Sequence, residues 1–90
     1  MSSETIVHVI DDDDAARDSL TFLLRSARLV VRTYETAPAF LATIATHSAG
    51  CIITDVRMPE MTGIELLKHL RETNVDVPVI VITGHGDIPL

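Results

Sequence analysis

Three short apolar runs punctuate this chain, and each ends in an oxygen-bearing side chain. Val7-His8-Val9-Ile10 leads into Asp11-Asp12, Cys51-Ile52-Ile53-Thr54 into Asp55, and Val79-Ile80-Val81-Ile82 into Thr83. Short runs rich in β-branched residues, apolar on both faces, fit strands of a parallel sheet covered on both sides. Between them the period changes to that of helices. Ala16, Leu20, Leu23, Leu24 and Ala27 form one stripe at i, i+4, i+7, i+8 and i+11, with Asp13 or Asp14 placed to cap it. Strands alternating with helices make βαβ units with right-handed crossovers, an α/β fold. In such open sheets ligands bind at the carboxyl ends of the strands, where these side chains converge.

The remaining elements follow from local signals. Leu29 to Tyr34 is β-branched and alternating, a second strand at a sheet edge. Thr36 begins a helix with Pro38 in its first turn and Phe40, Leu41 and Ile44 turned inward. Ser48-Ala49-Gly50 breaks the pattern, and Cys51 opens the third strand. The stretch Asp55 to Gly63 is a loop punctuated by Pro59 and Gly63. Ile64, Leu67 and Leu70, with Leu66 beside them, mark a third helix ending near Glu72, after which Asn74 to Val77 turns and Pro78 opens the fourth strand. Gly84-His85-Gly86 reads as a turn. Asp87 followed by Pro89 reads as a helix cap at the point where the sequence stops, so a continuation of the chain is expected.

Composition limits the function classes. Ninety residues suffice for one small domain, and a 47% hydrophobic content with 3% aromatics implies a core of Val, Ile, Leu and Ala. A net charge of -6 argues against nucleic-acid binding by this segment, which would need a basic face. Cys51 stands alone in an apolar run, so it is expected to be a buried thiol with no disulfide partner. Met1-Ser2-Ser3-Glu4 lacks a basic segment followed by an apolar one, and no run approaches the ~20 apolar residues of a membrane span. The expected location is the cytoplasm.

Carboxylates gathered at one edge repel, raising the pKa of at least one unless a cation intervenes. An all-oxygen donor set suits a hard cation such as Mg²⁺, which commonly takes one or two carboxylates together with waters and phosphate oxygens. A carboxylate beside such an ion can act as a nucleophile toward phosphorus, giving an aspartyl-phosphate.

The stretches VIDDDD, IITDVRMPEMTGIELL and VIVITGHGD strongly resemble the receiver domain of two-component response regulators of the FixJ type. The resemblance covers essentially the whole chain, and its D-x-R-M-P-x-M-x-G pattern from Asp55 is highly specific. It implies a flavodoxin-like three-layer fold, here (βα)3β with strand order 2-1-3-4. It also implies that Asp55 is phosphorylated by a sensor histidine kinase. Asp12 would ligate Mg²⁺ directly, Asp11 would assist partly through water, and Arg57 would offer its backbone carbonyl. Thr83 would contact the phosphoryl group in the activated state. Receivers also carry a lysine at the end of a fifth strand; Lys68, the only lysine here, falls in the third helix and matches no such position. The fourth helix, fifth strand and fifth helix have no counterpart in residues 1–90, nor does the DNA-binding effector domain that the resemblance suggests for the parent regulator. Phosphorylation and switching of this segment alone are therefore expected to be impaired.

Two other readings stand beside this one. A Mg²⁺-dependent phosphohydrolase of the haloacid dehalogenase type would need a second aspartate two residues after Asp55, where Arg57 stands. An interaction-only segment is the other. With Val79 to Ile82 as an apolar edge strand, a homodimer or an exchange of elements between chains is expected. The plainer expectations are these: Asp13 and Asp14 cap a helix, Met58 and Met61 pack the loop, and Gly63 permits a tight start to the third helix. His8 is a satisfied core histidine, His85 is exposed, and Arg25, Arg28, Arg32 and Arg71 are solvated charges.

Overall fold

Isoleucine- and valine-rich segments pair throughout in parallel, in the order β2-β1-β3-β4. The strands are β1 (Ile6–Ile10), β2 (Val30–Tyr34), β3 (Cys51–Asp55) and β4 (Val79–Ile82). They alternate with helices α1 (Asp14–Ser26), α2 (Ala37–Leu41) and α3 (Gly63–Glu72). The structure, a computed structural model, describes residues 6–43 and 50–82. Within them the α/β arrangement is the (βα)3β unit that the sequence predicts. The expectations for Ile44, Ser48, Ala49, Thr83, His85 and Asp87 lie outside the described residues.

Alternation along each strand divides the interior into two clusters. Ile10 and Ile52 join Ala37, Phe40, Met58, Leu66 and Leu70 on one face of the sheet. Val7, Val9 and Val31 form a smaller cluster on the other, against Leu20 and Leu24 of α1. His8 is buried on the first face, with Nδ1 3.0 Å from the Tyr34 hydroxyl and its ring 5.2 Å from that of Phe40. It is a core histidine, as expected.

Each helix begins on an oxygen cap. The Asp13 carboxylate accepts from the Ala15 N–H at 3.2 Å, and Thr36 Oγ1 accepts from the Ala39 N–H at 3.1 Å. Thr62 and Glu65 form a reciprocal capping box, each side chain accepting from the other's backbone N–H at 3.1 and 2.9 Å.

Several sequence expectations need correction. Leu23, expected on the inward stripe of α1, is 64% exposed, with Phe22 beside it at 72%. Only Leu20 and Leu24 of that stripe reach the small cluster, because a helix lying on a sheet covers it with a narrow strip and Leu23 falls on its flank. Ile64 is exposed for the same reason, while Leu66 and Leu70 carry the contact of α3. Cys51 is only half-buried, at the margin of the smaller cluster, and it is a free thiol. The second strand begins at Val30, one residue later than expected.

Candidate functional site

Strand register builds the site. Ile10 lies opposite both Tyr34 and Thr54, and Asp55 lies opposite Ile82, so the strands end level with one another. The residues immediately after β1 and at the end of β3 thereby share one edge. The Asp11 N–H extends the ladder by donating to the Tyr34 carbonyl at 3.1 Å, and the Val56 N–H does the same to Ile82 at 3.0 Å. Asp11 and Asp55 are buried and Asp12 is exposed, and one carboxylate oxygen from each lies within 4.8 Å of the other two. The three aspartates singled out in the sequence are therefore brought together.

The loop after β3 holds Asp55 in place. The Gly63 N–H donates to the Val56 carbonyl at 2.9 Å, drawing the start of α3 against the strand end. A Cβ at position 63 would lie 2.4 Å from the Asp55 carbonyl oxygen, so no side chain fits there. The glycine is required by this close approach. Met58 is buried in the larger cluster, its sulfur 3.7 Å from Thr54 Oγ1, and Met61 packs at the cluster's margin. Both methionines are packing residues, as predicted. Asp12, Arg57, Met58, Pro59 and Thr62 line an open cleft, and Asp12 is the member of the acidic cluster that faces it.

The Asp11 carboxyl is pushed above the usual carboxylate range. Burial is the main cause, and the charges of Asp55, Asp12 and Asp13 add to it; the Asp13 N–H, donating to Asp11 Oδ1 at 2.9 Å, works in the opposite direction. Such a set suits a cation, which would relieve the repulsion among the three charges. All three donors are hard carboxylate oxygens, the donor type that Mg²⁺ takes. One oxygen from each lies within 4.8 Å of the other two, close enough for the three to converge on one such ion.

One contributor went unremarked in the sequence. Arg17, on α1, has a side chain only 12% exposed. Its Nη1 donates to the Asp11 carbonyl at 2.6 Å and its Nη2 to Asp14 Oδ1 at 2.5 Å, with Glu35 Oε2 at 3.9 Å. The bond to Asp14 holds the guanidinium above its ordinary pKa, so it is always charged. Its position six residues after Asp11 and three after Asp14, on the inner side of a helix beginning beside the acids, is the signal that would have found it.

The pattern of the response regulator receiver domain matches residues 7–90. The chain belongs to that family. FixJ, the transcriptional regulatory protein of Azorhizobium caulinodans, is 56% identical to it over 84 residues, 93% of this chain and 40% of the relative. FixJ of Bradyrhizobium diazoefficiens is 48% identical over 90 residues, all of this chain and 44% of the relative. This receiver thus spans about two fifths of those relatives' length. Among solved structures, the FixJ-N crystal structure superposes with a TM-score of 0.86 at 42% identity, covering 98% of this chain and 70% of that one. The fold and the receiver resemblance both hold. Membership makes the chain a signalling module and not a metabolic enzyme, which sets aside the phosphohydrolase reading. No helix among the described residues is long and apolar enough to cross a membrane.

Proposed function

We propose that this receiver accepts a phosphoryl group on Asp55 from a sensor histidine kinase, within a cytoplasmic regulator whose remaining part controls transcription. What supports this most is one observation: Asp55, 1% exposed at the end of β3, meets Asp11 and Asp12 at β1's edge, and Asp12 lines an open cleft. The names of the FixJ relatives support the transcriptional role of the parent.

In the reaction a carboxylate oxygen of Asp55 attacks the phosphorus of a phosphohistidine. The new O–P bond replaces the N–P bond, and the departing imidazole nitrogen takes a proton from solvent. Catalysis of such a transfer is mainly positioning and charge neutralisation. A bound Mg²⁺ would supply the neutralisation, held directly by Asp12 and Asp55, by Asp11 partly through water, and by the Arg57 carbonyl. The level strand ends and the Gly63 contact keep Asp55 fixed for in-line attack. Thr83, directly after β4, is assigned the phosphoryl contact of the activated state.

Taken alone, residues 1–90 hold one lysine, Lys68, on α3. Losing a charge-assisted contact to the phosphoryl group costs ~2–4 kcal/mol in comparable sites. Transfer to this segment by itself is accordingly slow. Incubation with Mg²⁺ and acetyl phosphate, followed by intact mass, tests both statements. A slowly formed phosphoryl adduct, absent in Asp55→Asn, is the expected result. An adduct that survives Asp55→Asn sinks the assignment, and rapid stoichiometric addition would show that the lysine is dispensable.

A second reading rests on β4, an edge strand among the described residues, with Ile80 51% exposed. Unpaired apolar edges invite pairing. The segment is proposed to self-associate along β4, and sedimentation as a monomer at all concentrations would exclude it.

A further inference from the structure

Asp11 is gripped through its main chain from both directions. Its N–H is bound to the Tyr34 carbonyl at the end of β2, and its carbonyl is bound by Arg17 at 2.6 Å. The same guanidinium reaches Asp14 in the first turn of α1, with Glu35 after β2 at 3.9 Å. One side chain therefore ties the turn carrying Asp11 and Asp12 to the helix behind it and to the neighbouring strand end. A guanidinium suits this task because its fork of donors is planar and preorganised, whereas an ammonium is a point donor on a flexible stem.

We propose that Arg17 is a positioning residue of the acidic pocket, setting the Asp11-Asp12 turn in the conformation that binds a divalent cation. This rests on the metal reading above. The proposal predicts the opposite of simple electrostatics. A positive charge near a cation site repels the cation, so deleting Arg17 without rearrangement would tighten Mg²⁺ binding. If Arg17 instead sets the geometry, deleting it weakens binding, because partners that orient metal ligands typically contribute 10- to 100-fold in affinity.

The test is calorimetric titration of Mg²⁺ into the wild-type chain, Arg17→Met and Arg17→Lys. Thermal unfolding and amide spectra establish that each is folded. Both variants are expected to bind at least ~10-fold more weakly than wild type, with the metal-induced amide shifts of Asp11 to Asp13 reduced. Should Arg17→Met not fold, Arg17→Lys decides alone: it keeps the charge, so electrostatics predicts unchanged affinity and the positioning role predicts loss. A folded variant that binds Mg²⁺ as tightly as wild type, or more tightly, overturns the proposal even if its stability falls, and leaves the phosphoacceptor reading intact. Failure of the wild-type chain to bind Mg²⁺ at all overturns the metal reading and this inference with it.

Discussion

The two faces of the sheet draw on similar strand sequences and reach different ends. On the face covered by α2 and α3, seven residues from four elements and a loop close over one another, and Phe40, Ile10, Ile52, Leu66 and Leu70 are almost fully excluded from water. On the face covered by α1, three valines are buried, α1 itself buries no residue, and Phe22 and Leu23 stand in solvent. Ile80 lies opposite Ile53 in the register, so it extends this second face, and it too is exposed. The difference lies in what covers each face, since both are apolar. The functional site sits with the better-packed side: Met58 and Gly63 belong both to the loop that holds Asp55 and to the packing of α3. Positional precision at Asp55 thus comes from the larger cluster.

The strongest way to break this comparison is to delete equivalent leucines on the two faces. Leu66→Ala is expected to cost about 2–5 kcal/mol, enough to abolish cooperative unfolding in a domain this small. Leu24→Ala, at a half-buried position, is expected to cost visibly less. Urea melts of the two variants make the measurement. Equal losses would mean that α1 contributes as much as α3 and that the asymmetry is only apparent.

Gly63→Ala comes next. The added methyl would meet the Asp55 carbonyl at 2.4 Å, so either the strand end or the helix must move. A loss of about 1–3 kcal/mol is expected. Phosphorylation from acetyl phosphate should fall by more than the stability loss explains, because the displaced atom belongs to Asp55, the proposed phosphoacceptor. A variant that melts early but accepts phosphate at the wild-type rate would separate packing from the site.

These positions differ in how legible they were. Strands announce themselves through β-branched runs, and aspartates placed directly after two of them identify the edge once the parallel order is accepted. Helical period predicted the inner residues Leu20, Leu24 and Leu70, overextended to Leu23 and Ile64, and set Leu66, which is fully buried, beside the stripe of Ile64, Leu67 and Leu70. A period gives the direction of a stripe and not the width of the surface it meets. Arg17 offered only its spacing from Asp11 and Asp14, which does not name its partners. Its role depends on a carbonyl, a carboxylate and a neighbouring loop that are adjacent only after folding.

A smaller effect tests the cap that joins the Asp55 loop to α3. Thr62→Ala removes half of the capping box and is expected to cost ~1 kcal/mol. Asp11→Asn acts in the other direction. The folded state holds the Asp11 proton more tightly than the unfolded chain does, so its contribution to stability is complete below the unfolded carboxylate pKa and is lost as pH rises through the higher folded value. At neutral pH without metal, Asp11→Asn is therefore expected to raise the Tm, and the gain should vanish on acidification. Added Mg²⁺ should stabilise wild type more than the variant, since it offsets the same repulsion. A lower Tm for Asp11→Asn at neutral pH would mean that its carboxylate is already balanced, with Arg17 as the nearest candidate.

The smallest expected change in stability, and the one most specific to the second face, is Phe22→Ser with Leu23→Gln. Both side chains are largely in water already, so their replacement should alter the unfolding free energy by no more than about 0.5 kcal/mol. If the exposed α1 flank and Ile80 form one adhesive surface, the same double substitution lowers the self-association constant in sedimentation equilibrium. Ile80→Lys, which places a charge on the edge strand, should lower it further. A clear loss of folding stability in the double variant would show that Phe22 and Leu23 are packed and not solvated, and the second face would then have to be counted as a true core.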